Sequence, residues 1–145
     1  MKRIIMALMM LLAIAGVAKA EDYYAHDASV LPAAAKNVLK KNFKAEVSVV
    51  KIDKTLGRVS EYEVVLRDGS EIDFDAKGNW KSVETANSVA VPVAMVPKAI
   101  GDFVRKNHKG DRIVGIEKNR NDYEVTLSSG IDIEFTKAGA FKKYD

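Results

Sequence analysis

Residues 62–75 read YEVVLRDGSEIDFD, and sixty-one positions later residues 123–136 read YEVTLSSGIDIEFT. Each stretch alternates apolar and polar residues, breaks at a glycine-containing turn, and alternates again, which is the pattern of a β-hairpin with one face buried. Between residues 62–84 and 123–145, nine of 23 positions are identical without gaps. The correspondence reaches further back: Val96-Pro97 matches Leu31-Pro32, and Ala99, Lys106 and Asn107 repeat Ala34, Lys41 and Asn42. A chain that writes one helix and about four strands twice is constrained to bury two equivalent apolar faces.

The elements follow from local pattern. Pro32 suits a first helical turn, and Leu31, Ala35, Val38, Leu39 and Phe43 share one helical stripe. Alternating segments at 47–53, 60–67, 70–75 and 79–84 predict four strands, and 113–117, 121–128, 131–136 and 140–144 predict four more. Asp68-Gly69 predicts a two-residue turn with positive φ at both positions, and Ala76-Lys77-Gly78 a second turn. The expected fold is α+β: two tandem helix-plus-antiparallel-strand repeats, 30–84 and 96–145, joined by a linker at 85–95. Their sheets lie edge to edge as one extended sheet with both helices on the same face. Residues 30–145 then form a single domain.

The first twenty residues join a basic start, Lys2-Arg3, to an apolar run at 4–17 and end in Ala18-Lys19-Ala20. This is the pattern of a secretory signal cleaved before Glu21, and the run is shorter than the roughly 20 residues a spanning helix needs. Residues 21–29 are polar and aperiodic and read as a flexible leader. Losing Lys2, Arg3 and Lys19 from the 23 basic residues leaves 20, equal to the 20 acidic ones. The mature chain is formally neutral, which removes the argument for a nucleic-acid partner. No membrane contact is expected after cleavage. The chain has no cysteine, so an exported domain of this composition holds together by its core alone.

Strand parity then sorts the side chains. Tyr62, Val64, Leu66, Ile72 and Phe74, with Tyr123, Val125, Leu127, Ile131, Ile133 and Phe135, face the helices. The other parity carries nine carboxylates: Glu61, Glu63, Glu71, Asp73, Asp75, Asp122, Glu124, Asp132 and Glu134. Eight basic residues (Lys36, Lys40, Lys41, Lys44, Lys98, Arg105, Lys106, Lys109) are expected to ride on the two helices. A neutral chain thus becomes two-sided, with Arg67, Lys81 and Lys142 interrupting the acidic field. Such charges can pair across strands and keep the sheet soluble, or steer a cationic partner.

Catalytic and metal patterns are weak. Asp73, Asp75, Gly78 and Glu84 occupy positions 1, 3, 6 and 12 of a calcium loop, but Lys77 stands where an oxygen ligand belongs. The segment reads as a hairpin turn instead, and no metal site or cofactor is expected. Two histidines, His26 and His108, are too few for a histidine-rich site, and no G-x-S-x-G is present. A carboxylate acting as general acid needs a buried setting, and an open sheet face is expected to bury little, so no enzymatic activity is expected. Trp80 and its counterpart Phe141 read as core residues closing the sheet against a helix.

The pattern V/L-P-x-A at a helix start, then Y-E-V-x-L-x-x-G-x-x-I-x-F, then a glycine and an aromatic, resembles the PepSY-like family of exported bacterial proteins over roughly residues 30–145. The resemblance implies the fold of beta-lactamase-inhibitor proteins and a periplasmic or secreted, non-enzymatic binding module. It implies a protein or peptide partner, a peptidase among the candidates, gripped by the open sheet face. By strand position the contacts would fall on Glu63, Arg67, Asp73, Asp75, Lys81, Glu124, Asp132 and Lys142. The Asp73 and Asp75 cluster leaves a small-ligand or cation sensor as the alternative. The sequence does not specify an oligomeric state.

Overall fold

Four turns of one construction set the pattern of the sheet. At Gly69, Gly78, Gly130 and Gly139 the backbone takes φ of 87° to 89°, and each glycine N–H donates to a carbonyl three residues back, on Leu66, Asp75, Leu127 and Thr136. This is a three-residue hairpin loop, a type I turn closed by a left-handed glycine. The two-residue Asp68-Gly69 turn expected from the sequence is therefore not what forms. Asp68 accepts the Ser70 N–H at 2.9 Å through its side chain, and this local bond stabilises the turn with only Gly69 left-handed. The true two-residue turn is Leu56-Gly57, with φ of 52° and 76°.

The computed structural model describes residues 22–86 and 89–145; the expected signal peptide and its cleavage site lie outside them. Nine strands form one open antiparallel sheet, hydrogen-bonded in chain order: β1 (Tyr23–Ala25), β2 (Val47–Thr55), β3 (Arg58–Leu66), β4 (Glu71–Asp75), β5 (Trp80–Glu84), β6 (Ile113–Lys118), β7 (Asp122–Leu127), β8 (Asp132–Thr136) and β9 (Phe141–Tyr144). The sheet continues from β5 to β6 across the segment that carries α2, with Ser82 paired with Glu117 and Val83 with Ile116. β1 falls in the segment expected to be a loose leader. It pairs with β2, which otherwise ends the sheet, and the Lys54 ammonium sits 3.8 Å from the Tyr23 ring.

Helices α1 (Ala33–Asn42) and α2 (Lys98–Asn107) each follow a proline, which is preorganised for a helix start. In each, the terminal asparagine side chain donates to a carbonyl four residues back, Asn42 to Val38 and Asn107 to Phe103, at 2.9 Å. Ala35 and Leu39 of α1 and Ile100 and Val104 of α2 join one core with Val64, Ile72, Phe74, Val125, Ile133 and Phe135. Each helix rests on a turn glycine: a Cβ at Gly78 would lie 2.9 Å from the Ala35 nitrogen, and one at Gly139 would lie 2.8 Å from the Ala99 Cβ. Phe74 and Phe135 are fully buried, each contributing about 2–3 kcal/mol of apolar transfer.

Trp80 packs against this core as expected, but Phe141 is 41% exposed. The reason is position. β5 lies inside the sheet, whereas β9 is its last strand among the described residues, so Phe141 sits at the edge and stacks on Phe103 at 5.0 Å.

Candidate functional site

The helix-facing side is as parity requires, with Tyr62, Val64, Leu66, Ile72, Phe74, Val125, Leu127, Ile133 and Phe135 buried and Tyr123 and Ile131 partly so. The carboxylates therefore point away from the helices, and the strand registers arrange them in rows. One row crosses all nine strands: Tyr24, Lys51, Glu63, Asp73, Ser82, Glu117, Glu124, Glu134, Lys143. At about 4.8 Å between strands it runs roughly 38 Å. Five of its members are carboxylates, and a lysine stands next to them at each end. A second row runs Glu71, Glu84, Gly115, Thr126, Asp132, with a side-chain gap at Gly115.

Placing like charges opposite one another on adjacent strands is unfavourable, and the site shows it. Burial, reinforced by the like charges of Asp53, Asp73 and Glu61, pushes the Glu63 carboxyl up to about 7 against the opposing pull of Lys51. Burial and neighbouring acids likewise raise Glu71, Glu84 and Glu124. The expectation that an open face buries little is thus corrected. Packed side by side, the stems shield one another, leaving Lys51 14% and Glu63 28% exposed.

Salt bridges trim the field at its margins. Lys51 Nζ lies 3.0 Å from Asp53 and 3.6 Å from Glu63, and these acids hold its pKa up although burial opposes them. β-Bulges opposite Asp73/Phe74 and Glu134/Phe135 give β5 and β9 one extra residue each, Lys81 and Lys142. Lys81 reaches Glu61 at 3.3 Å, and Lys142 reaches Asp122 at 3.2 Å and Glu134 at 3.3 Å.

Of the residues named from sequence, Glu63, Asp73 and Glu124 lie in the main row and Asp132 in the second, where it accepts the Thr126 hydroxyl at 2.7 Å. Lys81 and Lys142 border the field. Asp75 is committed to its own turn, accepting the N–H groups of Lys77 and Asn79 at 2.9 Å. Burial raises its pKa, but these bonds outweigh it and hold the group low. Arg67 sits past the end of β3 against Glu46 at 3.5 Å, so it does not break the acidic rows. Lys51, Ser82, Glu117 and Lys143 were missed. Carrying the alternation into β2 and β6, through Val50-Lys51-Ile52 and Ile116-Glu117, would have found two of them.

Chemically, this face can draw a cation along a line rather than close around one. Among the described residues, no group of three or more His, Cys, Asp or Glu side chains is arranged to hold a metal ion. None of the helices among them is long and apolar enough to cross a membrane.

Residues 60–143 match the family model described as "Putative beta-lactamase-inhibitor-like, PepSY-like". The chain is similar to a solved Bacteroides vulgatus structure described as "a putative periplasmic protein of unknown function", with 36% identity and a TM-score of 0.79, covering 86% of this chain and 98% of that one. It is also similar to "a putative calcium-regulated periplasmic protein" from Bacteroides thetaiotaomicron, with 30% identity and a TM-score of 0.78, covering 86% of this chain and 96% of that one. Among curated proteins, none matches.

Proposed function

The chain belongs to the PepSY-like family, and on that premise we propose that it is an exported, non-enzymatic module that binds a cationic protein or peptide segment on the acidic face of its sheet. An envelope peptidase or another enzyme held in check is the partner class this reading favours, and two tandem repeats supply the face. The carrying observation is the row of five carboxylates crossing the sheet. A line of like charge focuses potential outward and speeds encounter with an oppositely charged partner. The half-buried Glu63 has an unfavourable charge that a cation placed over it would relieve.

The test is charge reversal. Pulldown of envelope proteins with the Glu63→Lys, Asp73→Lys, Glu124→Lys variant should lose the partner held by the wild type, and wild-type binding should weaken as salt rises. Retention of the same partner by the reversed variant overturns the reading.

A second reading, cation sensing, is favoured by the similar protein described as calcium-regulated. Calcium prefers six to eight oxygens converging on a point, and a linear array of carboxylates suits diffuse counter-ions better. Melting with and without millimolar calcium decides it: a ligand that binds only the folded state must raise the melting temperature, and no shift removes this reading.

A further inference from the structure

The side opposite the acids has its own character. Residues 28–45, which include α1, contain no acidic residue but four lysines, Lys36, Lys40, Lys41 and Lys44, all exposed. At 100° per residue Lys40 and Lys41 lie on the flank opposite the buried Ala35 and Leu39, Lys36 stands at the margin of that flank, and Lys44 follows the helix end. On α2 and just beyond it, Lys98, Arg105, Lys106 and Lys109 are exposed in the same way. Only Asp102 interrupts them, paired with Lys98 at 2.7 Å and with Arg105. The helix layer is thus a basic surface on a formally neutral mature chain.

We propose that this layer rests on an anionic phospholipid surface, holding the acidic sheet face outward. Charge complementarity carries the choice of partner, and residue type refines it. Seven of the eight cations are lysines, which are depleted from specific protein interfaces but serve well as point charges against phosphate headgroups. The layer also offers apolar footing. Beside α2 a cleft of about 370 Å³ has Val93 and Val96 in its wall with Lys98, Arg105 and Arg112 against the one acid Asp111, and Val93 is 81% exposed. Basic and apolar groups together are what interfacial adsorption requires. The expectation of no membrane contact rested on the absence of a spanning segment, and adsorption needs none.

The experiment is co-sedimentation of the mature protein with phosphatidylcholine vesicles, with and without phosphatidylglycerol, at low ionic strength. Binding is expected only with phosphatidylglycerol and is lost at high salt. Each lysine near such a surface is worth about fivefold in partitioning, so Lys40→Gln, Lys41→Gln, Lys44→Gln together should weaken it roughly 100-fold. These exposed substitutions should leave the melting temperature unchanged. Val93→Ser should give a smaller loss. The sheet-face reversal at Glu63, Asp73 and Glu124 should not weaken vesicle binding, which separates this proposal from the previous one. No binding to phosphatidylglycerol vesicles, or equal binding by the triple glutamine variant, overturns it. Salt-sensitive self-association abolished by that same variant also overturns it, by assigning the basic layer to the acidic face of a second copy.

Discussion

The hairpin β4–β5 and the hairpin β8–β9 are built alike and end differently. Both turn on a left-handed glycine beneath a helix, Gly78 or Gly139, and both bulge out a lysine, Lys81 or Lys142, toward an acid two strands back, Glu61 of β3 or Asp122 of β7. Yet β5 has β6 beside it, whereas among the described residues no strand flanks β9 on its outer side. Trp80 is accordingly half-buried beneath the Lys118 ammonium, 3.7 Å from its ring, whereas Phe141 and Tyr144 are 41% and 50% exposed. The local residues dictate the turn and the bulge. Position in the sheet dictates what those devices bury.

The strongest way to break the likeness is at the glycines. Gly78→Ala and Gly139→Ala should each cost about 3 kcal/mol or more in urea unfolding, because a left-handed backbone and a blocked Cβ add together. Gly130→Ala has the same φ but nothing within 4 Å of its Cβ, so it should cost only about 1 kcal/mol. Equal losses at all three would mean the helices do not rest on the turns.

The difference between the hairpins is sharpened at the aromatics. Trp80→Ala should destabilise by about 2–3 kcal/mol and Phe141→Ala by about 1 kcal/mol, in proportion to the apolar area each buries. A reversed order in thermal melts would place β9 inside a larger assembly.

The smallest effect compares Glu63 with its counterpart in the second half, Glu124, in the same row. Glu63 is raised to about 7 from 4.5, so between those values the native state holds more protons than the unfolded chain. Its contribution to stability is complete below about 4.5 and is lost as pH rises through about 7. Glu63→Gln should therefore flatten the pH dependence and stabilise the protein at pH 8 by about 1 kcal/mol, a figure well below the full shift because the group is partly solvated. Glu124→Gln should act in the same direction. An unchanged slope between pH 5 and 8 would show that Glu63 is hydrated after all.

Much of this was legible because strand period and turn residues are local signals: the one extended antiparallel sheet, the helix stripes, and the side on which Phe74 and Asp73 fall. What was not legible depended on neighbours. Tyr23–Ala25 becomes a strand because β2 offers an edge, which three polar-flanked residues cannot announce. The Asp68 turn depended on a side-chain bond to Ser70, and the charge row depended on cross-strand register. That row was misjudged in one respect, since residues that alternate outward on separate strands still bury one another once aligned, as Lys51 and Glu63 do.

The sheet's strand order has a consequence for how the protein is made. Each strand after β1 pairs with the one synthesised just before it, even across the segments that carry α1 and α2. A chain emerging N-terminus first can therefore lay down each strand without waiting for a distant one and without threading, which favours rapid formation. Unravelling should run the same track backward: a pull on the last residues would strip strands singly, like rungs lifted from one end of a rope ladder.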